Sequence, residues 1–205
     1  MKKWLITACL IAITTLPVSS TFADDANILK NRLNKINNFH AIFDQKVIDS
    51  EGRTIQEGKG EFWIKRPNLF NCHMTSPDEI MLISDGKTLW FYNAFIEQAT
   101  ANWLKNETGN TPFIFIIRNN PADWKQYNIK HHGNNFLIVP KDNKNNLKQF
   151  TINITANGAI TSFATLEKNG QYSSYKLKRQ NNTLIQDSKF HFILPKGVIL
   201  DDQRQ

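Results

Sequence analysis

The chain has 205 residues, with 25 Lys and Arg against 18 Asp and Glu, a net charge of +7 at neutral pH. Hydrophobic residues make up 40 % of it, enough for one sizeable core. The positive residues are scattered rather than gathered in a run, which argues against a nucleic-acid face.

The first element is a leader. Lys2 and Lys3 precede an apolar stretch from Trp4 to Val18, and Thr21-Phe22-Ala23 ends in a small residue. This is the pattern of a secretory signal peptide cut after Ala23, and the apolar run is short for a membrane span. Ile6-Thr7-Ala8-Cys9 looks superficially like a lipidation site. Only eight residues precede Cys9, however, and the apolar run continues past it. Export to the periplasm without a lipid anchor is therefore expected. Removing residues 1–23 leaves 182 residues, 24–205, read as a single domain, and lowers the net charge to +5. A mild attraction to anionic membrane surfaces stays open. Cys72 is then the one cysteine left, so no intrachain disulfide forms and the core must stabilise the fold.

The segment DDANILKNRLNKINNF follows. Leu29, Leu33 and Ile36 recur at helical spacing, with Asp24 and Asp25 near the helix start, where the dipole favours negative charge. The rest of the chain reads mostly as short strands rich in β-branched and aromatic residues: 40–48, 58–66, 69–74, 79–84, 88–92, 127–130, 135–139, 148–155, 159–167, 172–179 and 189–194. Turn signals separate several of them, among them Ser84-Asp85-Gly86-Lys87, His132-Gly133-Asn134 and Ala156-Asn157-Gly158-Ala159. About eleven strands joined mostly by tight turns predict an antiparallel meander. Between them lies GNTPFIFIIRNNPADW. A cap at Asn110 or Thr111 with Pro112 in the first turn favours a helix through Phe113, Ile114, Phe115, Ile116 and Ile117; a buried strand is the alternative.

The strands differ in their faces. Phe150, Ile152 and Ile154 alternate with Thr151, Asn153 and Thr155, giving one buried and one wet face. By contrast, 80–83 (IMLI), 89–92 (LWFY) and 136–139 (FLIV) are apolar on both faces and need a second cover, some of which the two helices offer. Loose helical cover makes a cavity; tight cover makes an ordinary core. In GEFWIKRP a regular strand puts Phe62, Ile64 and Arg66 on one side. Arg66 there is either a salt-bridged or snorkelled rim residue or a latch that donates to the open carbonyls ending a helix.

Patterns for other chemistry are weak. No G-x-S-x-G occurs, and Cys72-His73 are neighbours on a strand, so they point to opposite faces. His131-His132 beside Gly133 reads as a turn rather than a metal site, and no cofactor or catalytic residue is expected. A secreted carbohydrate-binding module with Trp63, Trp90, Trp103 and Trp124 as a stacking platform is the alternative function.

KRPNLF, SDGKTLWFYN, EQATANWL and GNTPFIFI, within a likeness running from LKNRLNKINNFHAIFDQKV to DDQRQ, resemble the periplasmic outer-membrane lipoprotein carrier family of Gram-negative bacteria. The resemblance implies a mainly β fold: an incomplete, strongly curved antiparallel β-barrel covered by short α-helices that form a lid. It implies a monomeric chaperone whose cargo is acylated lipoproteins, taken from an inner-membrane ABC-type releasing transporter and passed to an outer-membrane lipoprotein receptor. The family's latch arginine falls on Arg66. The hydrophobic cavity would comprise Phe62, Ile64, Phe70, Cys72 and Met74, and the lid Leu29, Leu33, Ile36, Phe113 and Ile116. Family members often carry tryptophan where this chain has Cys72, which on its apolar face reads as a small buried hydrophobe.

Overall fold

The computed structural model describes residues 22–107, 114, 117, 118, 120–142 and 146–205. Most of them build one twelve-stranded sheet: β1 (Asn38–Ile48), β2 (Thr54–Lys65), β3 (Leu69–Ser76), β4 (Ile80–Asp85), β5 (Thr88–Asn93), β6 (Gln98–Trp103), β7 (Tyr127–His132), β8 (Asn135–Pro140), β9 (Leu147–Ile154), β10 (Ile160–Glu167), β11 (Tyr172–Asn181) and β12 (Ile199–Asp202). Their order is β12-β6-β5-β4-β3-β2-β1-β11-β10-β9-β8-β7. Two meanders, β1–β6 and β7–β11, thus meet where β11 pairs antiparallel with β1. The chain closes with β12 lying parallel to β6.

The expected count of about eleven strands is corrected to twelve, and their identity changes in three places. QATANW forms β6 although its alternation of small and polar residues carries little hydrophobic signal; its alanines are buried beneath larger neighbours. β12 was hidden because ILDD is short and mostly exposed. Residues 189–194, read as a strand, are a one-turn 3-10 helix (Asp187–Phe190) followed by extended chain with no strand partner. The turn chemistry fared better. In Ser84-Asp85-Gly86-Lys87 the Asp85 carboxylate accepts from the Lys87 and Thr88 amides, while Gly86 takes φ +94°.

Alternation on β1 sets the inner face: Phe39, Ala41, Phe43, Gln45 and Val47 are buried, with the residues between them more exposed. Gly60, across from Phe43, is a close-approach position. A Cβ there would lie 2.2 Å from the His73 carbonyl oxygen and 2.6 Å from the Phe43 ring. The helix α1 (Phe22–Leu33) turns the expected stripe inward: Leu29 and Leu33 are completely buried and Ile36, just beyond the helix, nearly so. The cap expected at Asn110 or Thr111 with Pro112 lies outside the described residues; a separate short helix, α2 (Pro121–Trp124), is described. Asn120 caps it by accepting from the Ala122 amide, and Pro121 opens it.

The central strands are apolar on both sides for a reason the sequence left open. The outer face is covered by the C-terminal segment rather than by a helix. Ile185 and Phe190 pack on Trp63 and Leu69, Lys189 Nζ sits 4.5 Å over the Trp63 ring, and Phe192 packs against Trp90 and Tyr92. Asn71 Nδ2 donates to the Lys189 carbonyl at 2.8 Å, and Lys65 pairs with Asp187 at 2.5 Å. Strand β8 is treated differently: its outward Leu137 and Val139 are half-buried and line a shallow hollow with Asn128 and Lys130.

Candidate functional site: the apolar interior

The interior is built by strand register. Phe62 lies opposite Cys72, and Ile64 opposite Phe70, on β2 and β3. Cys72 pairs onward with Leu82, and Leu82 with Phe91, giving one apolar row across four strands. Phe62, Ile64, Phe70 and Met74 belong to a single buried cluster, and Cys72 packs against it. The five expected cavity residues therefore share one face. Burial pushes the Cys72 thiol up to about 12, which keeps it neutral and unreactive at physiological pH. His73 faces the other way and contacts Glu79 at 2.9 Å, so Cys72 and His73 form no nucleophile–base pair.

Leu29, Leu33 and Ile36 belong to the same cluster, and so do Ile114 and Ile117, both helical and buried. Phe113 and Ile116 lie outside the described residues. The interior is thus filled by side chains from helical segments. Phe136, Phe150, Ile152 and Phe163 complete it from the β8–β10 side. Period-two alternation signals Phe150 and Ile152, whereas Phe136 sits in a segment apolar on both faces, and the resemblance drew attention to β2 and β3 alone.

Arg66 follows Ile64 and Lys65 at the end of β2, and its amide donates to the Asn37 carbonyl at 2.8 Å. It is half-buried, and desolvation lowers its pKa to about 10, so the guanidinium stays charged at neutral pH while losing hydration.

A hollow of about 1090 Å³ lies elsewhere among the described residues. It crosses the outer face over β2, β1, β11, β10 and β9, where Lys46, Lys59, Lys176 and Lys178 accompany Asp44 and Glu57. Volume alone would place the site there. The lining of that trough is mixed: charged side chains alternate with Thr151, Ser162, Ala164 and Ser174, and Gln45, Ile152, Phe163 and Tyr175 reach it from strands whose other face is the interior. The four tryptophans form no shared platform either: Trp124 is buried, Trp63 lies under Lys189, and Arg204 sits over both Trp90 and Trp103. Among the described residues no group of three or more His, Cys, Asp or Glu is placed to hold a metal.

These features define a class of protein: one open, curled sheet, antiparallel except for β12, wrapped around a hydrocarbon interior that helical residues fill. Residues 34–193 match the family described as Outer membrane lipoprotein carrier protein LolA, and the chain belongs to that family. It is 62 % identical over 205 residues to the outer-membrane lipoprotein carrier protein of Sodalis glossinidius (strain morsitans), covering all of both chains. The protein of the same name from Yersinia enterocolitica is 60 % identical over 205 residues, again with full coverage of both. Among solved structures, an uncharacterized conserved protein from Thermus thermophilus superimposes with a TM-score of 0.55 at 12 % identity. That match covers 86 % of this chain and 98 % of the other, and it bears on the fold alone.

Proposed function

We propose that this chain is a periplasmic chaperone that carries acylated lipoproteins to the outer membrane, sheltering their acyl chains inside the sheet. The observation that carries this reading is full-length identity of about three residues in five to proteins named outer-membrane lipoprotein carrier. The cargo comes from an inner-membrane ABC-type releasing transporter and leaves to an outer-membrane lipoprotein receptor. Residues 1–23 are the leader removed on export.

Leu29, Leu33 and Ile36, with Ile114 and Ile117, act as a lid that plugs the vacant interior; their burial supports this. Each buried aliphatic side chain contributes roughly 1.5–3 kcal/mol, so the five together hold the lid by about 8–15 kcal/mol. An acyl chain of about fifteen methylenes, at ~0.8 kcal/mol each, offers on the order of 12 kcal/mol. Displacing the lid thus offsets about one chain's worth of burial, so net affinity is a difference of two burials and well below the gross value. Arg66 is the latch, donating to carbonyl oxygens of the lid. Its loss of hydration supports a role that demands protein acceptors.

The test adds the leader-free protein to spheroplasts and assays soluble lipoproteins, then mixes the complexes with receptor-bearing outer membranes. Release followed by transfer is expected. Absence of lipoproteins from the soluble fraction contradicts the carrier reading. In the same assay Arg66→Leu loads cargo but transfers it poorly; normal transfer by the variant removes the latch role.

A further inference from the structure

Inside the hydrocarbon interior two polar side chains face each other in register, Gln45 on β1 and Tyr175 on β11. Gln45 is buried, and its Nε2 donates to Tyr175 Oη at 2.8 Å. Gln56 Nε2 donates in turn to Gln45 Oε1 at 3.3 Å. The relay has a direction. Each amide is used so that the tyrosine oxygen accepts, which leaves the Tyr175 O–H proton to be donated onward. Burial raises the Tyr175 hydroxyl pKa well above its ordinary value, so it remains a donor throughout the physiological range.

The surroundings hold this donor in place. The Tyr175 ring stacks on Phe163 with centroids 4.6 Å apart and meets the edge of Phe43 at 5.6 Å. Gly58 makes room for Gln45: a Cβ there would lie 3.0 Å from Gln45 Oε1 and 3.3 Å from Met74 Sδ. Packing alone gives no reason for this arrangement, because a pair of apolar side chains would fill the same space without desolvating the Gln45 amide and the Tyr175 hydroxyl. The inner-face neighbours Phe43, Val47, Gly58, Met74, Ser173 and Leu177 carry no charge. A neutral acceptor therefore suits the site better than a phosphate or a carboxylate.

Position narrows the ligand further. On one side are Phe43, Phe62 and Met74; on the other are half-exposed Gln56 and exposed Ile55. An amphiphile whose tails lie among the phenylalanines brings the linkages joining tails to head to this boundary. We infer that Tyr175, held by Gln45, forms a hydrogen-bonding subsite for the ester or amide carbonyl of an acylated ligand. The inference rests on the carrier reading and adds to it a group that recognises how the chain is attached, rather than the chain itself.

The probes are a diacylated lipopeptide with ester-linked chains and its dialkyl ether analogue of equal chain length, titrated into the folded protein by calorimetry. The wild-type protein should bind the ester form about three- to tenfold more tightly, the worth of one neutral hydrogen bond. Tyr175→Phe, which keeps the ring, should reduce that ratio to near one while leaving ether binding unchanged. Gln45→Met, which removes the relay but keeps the volume, should lower the ratio as well and serves if Tyr175→Phe does not fold. Equal binding of both lipopeptides by the wild type overturns the subsite alone, as does an unchanged preference in Tyr175→Phe. Failure of the wild type to bind either lipopeptide overturns the carrier reading and the subsite with it.

Discussion

Arg32 Nη1 donates to the Ile154 carbonyl oxygen at 2.7 Å, joining the last turn of α1 to the end of β9. The same nitrogen reaches Asn134 Oδ1 at 2.9 Å, and the guanidinium lies 5.1 Å over the Phe136 ring. At the other end of α1 the Asp25 carboxylate contacts His131 Nδ1 at 2.7 Å and accepts from its amide at 3.1 Å. Lys35 Nζ adds a bond to the Ala156 carbonyl at 2.7 Å. These bonds run to the β7–β10 half of the sheet. Together they clip α1 to that half of the sheet.

Arg32→Ala removes the clip while leaving the apolar stripe intact. Charge-assisted bonds to carbonyls are worth roughly 1.5–3 kcal/mol when buried, and partial exposure reduces that here to about 1–2 kcal/mol. Urea denaturation should show a loss of this size, and a hydrophobic fluorescent dye should bind the variant more strongly than the wild type.

Gly60→Ala should destabilise far more than its single methyl suggests. The added carbon meets a backbone oxygen at 2.2 Å and the rigid Phe43 ring at 2.6 Å, so neither neighbour yields cheaply. A loss of about 2 kcal/mol or more is expected, the scale of overpacking in a tight core. A midpoint of thermal unfolding several degrees below wild type checks it.

The attachment of β12 should depend on acid. Hydrogen bonds from Arg204, first the guanidinium and then the amide, lower the Asp202 pKa from 3.8 to about 2. A depressed folded pKa means that the contribution is fully present above pH 3.8 and fades as pH falls through about 2. The same guanidinium lies 5.0 Å over Trp90, so its release uncovers that ring. Hydrogen exchange should show residues 199–204 gaining exchange between pH 4 and pH 2, once intrinsic rates are corrected, ahead of β1–β3. Asp202→Asn should abolish the difference.

Cys72 reports on the interior. Its pKa of about 12 and its place between Phe62 and Leu82 make it nearly inert to iodoacetamide at pH 8 in the resting protein. Arg66→Leu should accelerate its alkylation severalfold, measured by mass spectrometry, because the lid then opens more often. Equal rates in the two proteins contradict a link between Arg66 and closure.

What the sequence revealed follows from where each signal is local. Hairpin glycines such as Gly86 and the alternation of β9 act over a few residues, and they were legible. The period-two reading of GEFWIKRP put Phe62 and Ile64 on one face, but the register that sets Phe62 against Cys72 depends on how two strands pair and was not legible. The outer cover was illegible for a different reason. Phe190 and Phe192 resemble strand residues, and only the path of the chain across Trp63 and Trp90 shows that they are packing material. Gln45 and Tyr175 were missed because they lie 130 residues apart, and nothing in either segment announces the other.

The most direct test places photoreactive benzoylphenylalanine at position 70 on the inner face, and separately at position 192 on the outer face, and irradiates each protein after it has released an acylated lipoprotein from spheroplasts. Position 70 should crosslink to the acyl chains and position 192 should not. Crosslinking from position 192 with none from position 70 would place the cargo outside the sheet and contradict a sheltered hydrocarbon interior.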